Sequence, residues 1–191
     1  RYKGLVPGTM HFKRTGNLYV IQATLKVPFK KMEFTSKGRI EKNKLRPESF
    51  TDIRGGKLYA YANFNYKNNT ITYGKAGEGC TTKMTENPLD LFSAAWQLAM
   101  NKGQGETQLQ VTSGKGVKIY TISSQTVEYQ QGQGKLRMKK FTLPEDNKGF
   151  GLAVDFGYIP ASITYDGYEI YIDSIELNGV NYWHAINKAS N

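Results

Sequence analysis

A chain of 191 residues is within the size of one all-β domain and buries roughly 70% of its unfolded surface on folding, enough for a core without cross-links. One cysteine (Cys80) and two histidines (His11 and His184) exclude an intrachain disulfide framework and a Cys-rich zinc site, and no apolar run is long enough for a membrane-spanning helix. Thirteen Tyr, nine Phe and twenty Gly beside 39% apolar residues favour strands and turns over helices. The net charge of +10 resides in the first half. Residues 1–100 hold 17 Lys+Arg against 7 Asp+Glu, and residues 101–191 hold 9 against 9. The basic excess is densest over 26–46, whereas 150–178 carries five acids and no Lys or Arg. Such an asymmetry is able to steer anionic partners, although a solvated strand face that aids solubility is the favoured account of it.

The predicted elements, taken in chain order, are mostly strands. In 18–27 the residues Tyr19, Ile21, Ala23, Leu25 and Val27 share one face, and Gln22, Thr24 and Lys26 the other. In 58–66 the shared face is Leu58, Ala60, Ala62, Phe64 and Tyr66, opposite Tyr59, Tyr61, Asn63 and Asn65. Alternation with one wet face is the pattern of an antiparallel sheet. Asn68-Asn69 is expected to turn the chain into a strand over 70–75. Near the C-terminus Asp166-Gly167 and Asn178-Gly179 tolerate the positive φ of a type I′ turn, so residues 161–186 are expected to form three antiparallel strands. Ten to twelve strands follow in all. A sheet that wide tends to close and so lose its exposed edges. The expected fold is all-β: a single domain over 1–191, an antiparallel meander closing into a barrel or half-barrel.

One segment breaks the alternation. Asn87 is a candidate N-cap, Pro88 suits a first helical position, and Gly103 can end the helix, which predicts one helix over about 88–101. Asp90, Ser93, Gln97 and Asn101 fall into a single narrow polar stripe on otherwise apolar faces. Phe92 and Trp96 are therefore expected to be buried, with the helix acting as a plug or lid.

The segment 87–99, together with Ser36-Lys37-Gly38-Arg39-Ile40, Leu45-Arg46-Pro47-Glu48-Ser49-Phe50 and a stretch from Leu152 to Ile163, resembles an uncharacterised bacterial envelope family, domain of unknown function 3108. The resemblance spans roughly residues 5 to 178. Asn43 or Lys44 stands where that family has a common glycine, and Ala153 or Val154 where it has a tryptophan. The resemblance implies an exported, β-rich protein of the Gram-negative periplasm and supplies no catalytic residues. The chain as given has no signal peptide, so an exported form would be mature or trimmed.

Chemistry is sparse. There is no G-x-S-x-G elbow, and neither histidine lies in a catalytic motif. Cys80 sits in a Gly-Glu-Gly-Cys-Thr-Thr loop without a local partner. The glycine clusters lack the strand–loop–helix order of a phosphate cradle. No cofactor or metal is expected. The leading reading is a non-enzymatic binding protein for an apolar or amphipathic molecule, a lipid among them, or for an envelope partner. Its candidate binding residues are Tyr59, Tyr61, Trp96, Tyr165, Tyr171 and Trp183, rings that serve equally to fill a core. Lys30, Lys31, Lys37 and Arg39 are the candidate basic patch beside the opening. The carrier reading requires an unfilled, aromatic- and aliphatic-lined interior volume on the order of 300 Å³ or more. The reading from another class is a hydrolase of an envelope glycan, using two of Asp155, Asp166, Asp173 and Glu176. Nucleic acid is not an expected partner, because Lys135, Arg137 and Lys139 have only Phe141 nearby for stacking. A monomer is expected.

Overall fold

The structure is a computed structural model and describes residues 5–28, 30–104, 108–131, 134–143, 148–165, 168–177 and 180–181. Sixteen strands and one α-helix are present among them. The strands are β1 (Leu5–Thr15), β2 (Leu18–Val27), β3 (Lys30–Glu41), β4 (Lys44–Arg54), β5 (Lys57–Asn65), β6 (Thr70–Lys75), β7 (Cys80–Lys83) and β8 (Pro88–Asp90). Helix α1 (Leu91–Met100) follows, then β9 (Gln108–Thr112), β10 (Val117–Thr121), β11 (Ser123–Gln131), β12 (Gly134–Leu143), β13 (Lys148–Ala153), β14 (Ile159–Tyr165), β15 (Tyr168–Leu177) and β16 (Val180–Asn181). The helix is not long enough to cross a membrane.

Thirteen strands make one sheet in the order β11-β12-β13-β14-β15-β1-β2-β3-β4-β5-β6-β7, with β16 paired to β15. Strands β10, β9 and β8 form a second, small sheet. The expected barrel does not form. A meander closes by pairing its first and last long strands, and β1 does pair β15, from Leu5↔Glu169 to Phe12↔Leu177. That pairing is parallel, and between β7 and β11 the chain leaves the sheet to build β8, α1, β9 and β10. The opening has therefore moved from the chain ends to the middle of the chain, and β7 and β11 are left as edges.

Periodicity was a sound guide where the ladder is regular. In β2 all five inward positions, Tyr19 to Val27, are buried. In β5 a bulge intervenes: Ile53 pairs with Leu58 and Asp52 with Ala60, which leaves Tyr59 as the extra residue. The bulge changes the facing of everything before it, so Leu58 is 44% exposed while Ala60, Ala62 and Phe64 are buried. The β5–β6 link is a four-residue loop rather than a two-residue turn, since Asn65 pairs with Thr70. At the C-terminus the pairs Tyr165↔Tyr168 and Leu177↔Val180 make both connections two residues long and antiparallel. The turn residues 166–167 and 178–179, and the end of the expected third strand, lie outside the described residues.

The core occupies the face of the large sheet that α1 covers. Phe92 packs against Phe34 and Phe50, with ring centroids 4.8 and 6.1 Å away, and Trp96 packs on Phe12 at 4.6 Å. The helix also touches β13 and β14, so it bridges the two wings of the sheet on either side of β1. Phe92 and Trp96 are both buried, as the apolar surface of the helix predicted.

The helix begins later than expected. Pro88 and Leu89 pair in parallel with Gln110 and Val111 of β9 and are therefore extended, which moves the N-cap from Asn87 to Asp90. The Asp90 carboxylate accepts from the Phe92 and Ser93 amides at 3.0 and 2.8 Å, and the Ser93 hydroxyl oxygen accepts from the Asp90 amide at 2.9 Å. This is a capping box. At the other end Gly103, at φ +72°, donates its amide to the Leu98 carbonyl at 2.8 Å and ends the helix in the left-handed conformation that suits glycine.

Candidate functional site

The polar stripe of α1 begins inside the core and ends half-buried at Gln97 and Asn101. Asp90 and Ser93 are fully buried. Besides its helix-capping bonds, Asp90 accepts from the Ser36 hydroxyl of β3 at 2.5 Å. The single Ser36 proton is thereby used, so the Tyr19 hydroxyl of β2, 3.0 Å from Ser36 Oγ, is the donor in that contact. Burial is the largest influence on the Asp90 carboxyl and raises its pKa from 3.8 to about 6, against the opposing bonds from Ser36, Ser93 and Phe92. Burial likewise holds the Tyr19 phenol well above its ordinary range, reinforced by the nearby Asp90 charge. Every oxygen of this network is spoken for, and its chemistry is that of a buried fastener joining α1 to β2 and β3.

Further along the stripe, the Gln97 side chain grips the tip of the β3–β4 hairpin. Its Oε1 accepts from the Leu45 amide at 2.6 Å, and its Nε2 donates to the Asn43 carbonyl at 3.0 Å. The hairpin turns through Lys42 and Asn43 at φ +50° and +63°, the backbone of a two-residue turn with both residues left-handed. Lys44 Nζ donates to Asn87 Oδ1 at 3.1 Å across the same gap. The cavity there is about 140 Å³, floored by Leu45, Pro88, Leu89 and Leu98 and rimmed by Lys42 and Arg46. Its amides are largely engaged in holding the hairpin to the helix.

A second cavity, about 270 Å³, lies at the C-terminal half of α1. Trp96, Ala99 and Met100 of α1 face Phe12 of β1, Ile40 of β3 and Ile159 of β14 across it. It is a groove between the two wings of the sheet, and its lining is mainly apolar. Trp96 is fixed on its inner side by the Phe12 ring and by Nε1–H donation to Met10 Sδ at 2.9 Å. Arg14, exposed at the end of β1, supplies a cation to the lining and is oriented by Nε–H donation to the Gly16 carbonyl at 2.9 Å. A larger depression beside Glu48, Asn63 and Tyr66 is a shallow, open dish with mixed polar walls.

Of the six aromatic candidates, Trp96 lines this groove. Tyr59, the bulge residue, lies under the Arg54 guanidinium, 3.7 Å from Cζ to the ring centroid, and Arg54 in turn makes a two-point pair with the buried Asp52. Tyr61 donates its hydroxyl to the Glu78 carbonyl at 2.7 Å, over the β6–β7 turn. Tyr165 and Tyr171 are placed only by their backbone register in β14 and β15, and Trp183 lies outside the described residues.

The basic candidates sit elsewhere. Lys31, Lys37 and Arg39 alternate with the buried Met32, Ser36, Gly38 and Ile40, which puts them on the face of β3 away from the core and from the groove. Lys31 pairs with Glu33 at 3.2 Å, and Arg39 with Glu41 and Glu48 at 2.9 and 2.8 Å. Lys30 is exposed at the start of the strand. The residues that sequence reasoning passed over are Phe12, Arg14, Ile40 and Ile159, because only the pairing of distant strands brings them together. Among the acids, Asp155 is exposed and held by Arg137 at 2.5 and 3.1 Å, Asp166 lies outside the described residues, Asp173 is the residue skipped where the β1–β15 register shifts, and Glu176 is placed opposite His11 by backbone register.

Comparison with protein-family models, with curated proteins and with solved structures finds no match. The resemblance to domain of unknown function 3108 is therefore not upheld. The segments that carried it have local reasons of their own. A Cβ on Gly38 would collide with the Arg46 and Pro47 backbone at the β3–β4 bulge, Ser36 and Asp90 are bonded to one another, and Leu89, Phe92 and Trp96 are core. The envelope location rested on that resemblance and loses its support with it.

Proposed function

We propose that this protein binds a small apolar or amphipathic molecule in the groove beside Trp96. The observation that carries the reading is an apolar space of about 270 Å³ at the meeting of three separate parts of the sheet with the helix. The volume falls just short of the usual range of small-molecule sites, roughly 300–1,000 Å³, and suits a single short chain better than a bulky ligand. Elsewhere the core rings of Phe34, Phe50 and Phe92 pack against one another, so space left open beside an indole and a methionine is a place where burial of ligand surface supplies affinity. Arg14 gives the lining a charged group that favours an anionic end on an otherwise apolar ligand.

The test is calorimetric titration of the full chain with laurate below its micelle-forming concentration, against an Ala99→Phe variant that fills the groove. A saturable heat for the wild-type chain, lost in the variant while its melting temperature is kept, is the expected outcome. An equal heat for both, or none for either, refutes the groove as the binding site.

A further inference from the structure

The large sheet ends at β7 and β11, and the two edges differ. Strand β7 is four residues long and ends in Lys83, features that discourage further pairing. Strand β11 is nine residues long, reads SSQTVEYQQ, and carries one charge, Glu128, with no proline or glycine. Its ladder with β12 runs from Ser123↔Thr142 to Gln131↔Gly134 without a bulge. Ser123, Ser124, Gln125, Thr126 and Glu128 are exposed and Val127 is half-buried, and among the described residues no strand pairs with the outer edge. Alternate residues of β11 thus carry outward backbone N–H and C=O groups that no described strand takes up, in a strand whose one edge-blocking device is the Glu128 charge.

We propose that β11 is a self-association edge, and that its occupant is β11 of a second copy of this chain, antiparallel about a two-fold axis at Val127. This takes the place of the monomer expected from the sequence. In that register Val127 lies opposite Val127 of the other copy, Thr126 opposite Glu128, and Gln125 opposite Tyr129, so no like charges are directly opposed. Each Glu128 keeps Arg137 as its cross-strand neighbour within its own chain. The basic β12 strands would be three strand spacings apart, roughly 14 Å, beyond the screening length at physiological salt. A two-fold contact also closes on itself, whereas β11 against the short β7 would be head-to-tail and open-ended. A strand pair is a small interface, so the dimer belongs to the weak, concentration-dependent class.

Sedimentation equilibrium of the full chain, from micromolar to submillimolar concentration, tests the proposal with Val127→Lys and Val127→Glu variants whose melting temperatures are recorded alongside. The expected results are a reversible wild-type dimer, about tenfold weaker association for each variant alone, and recovery when the two variants are mixed. Recovery in the mixture separates edge pairing from damage to the fold. A wild-type chain that stays monomeric throughout overturns the proposal, as does a dimer that both variants leave unchanged. A monomeric chain that instead binds an unrelated extended peptide along β11 overturns it as well.

Discussion

Asp90 joins three parts of the molecule through one carboxylate, capping α1, accepting from Ser36 of β3, and through Ser36 reaching Tyr19 of β2. Its burial makes the fold sensitive to pH in a direction opposite to that of an ion-paired acid. In the unfolded chain the group ionises near 3.8, and in the folded chain near 6. Between those values the native state holds a proton that the unfolded state has released, so stability falls as pH rises. The contribution is complete below about pH 4 and gone above about pH 6, a change on the order of 3 kcal/mol at about 1.36 kcal/mol per unit. Asp90→Asn keeps an acceptor for the helix amides and removes the titration. Urea unfolding at pH 4 and pH 7 should therefore show the wild type losing stability relative to the variant as pH rises. A difference between the two proteins that is independent of pH contradicts this account, whatever the other carboxylates do.

At the level of elements, Gln97 acts as the latch between helix and hairpin, reading one backbone donor and one acceptor of the β3–β4 tip much as a neighbouring strand would. Gln97→Ala leaves the Leu45 amide without that acceptor at a part-buried position, which is worth about 1–3 kcal/mol. The change should appear first as faster hydrogen exchange at the Leu45 amide, with the amides of β2 unaffected. Equal exchange at Leu45 in both proteins would mean that the latch contributes nothing. The stripe containing Gln97 was visible in the sequence, but its role was not. A row of polar residues on an apolar helix reads as a wet face, and only the arrival of β3 and β4 reveals partners for it. The same contrast holds in the strands. The buried face of β2 follows from alternation, while Leu58 is turned outward by a bulge at Tyr59 that leaves no mark on the residue pattern. The helix was evident from its apolar density, but its start was displaced because Pro88 and Leu89 are held extended by β9, a contact made across some twenty residues of chain.

For the whole molecule, the decisive feature is the parallel pairing of β1 with β15, which joins the two wings of the sheet beneath α1 and brings Phe12 and Ile159 to opposite sides of the groove. Adjacent strands could be read from their turns. This pairing could not, because it links residues more than 160 positions apart and has no connecting turn. It also explains why the groove was missed while Trp96 was found: Trp96 stands out within one helix, whereas its neighbours across the groove come from distant strands. The register itself makes a sharp test. His11 is paired with Glu176, and parallel partners in a sheet stand close enough for a disulfide. In a Cys80→Ser background, His11→Cys with Glu176→Cys should cross-link under mild oxidation. The bond closes a loop of about 165 residues, and the chain-entropy model gives such a loop about 5 kcal/mol, less any strain in the native state. The oxidised protein should melt at a higher temperature than its reduced form. Thr9→Cys with Glu176→Cys is two positions out of register and should cross-link poorly or lower stability, since its diagonal separation is roughly 7–8 Å. If the out-of-register pair cross-links as readily as the in-register pair, β1 and β15 do not hold this alignment, and the groove between the two wings would not have the shape described.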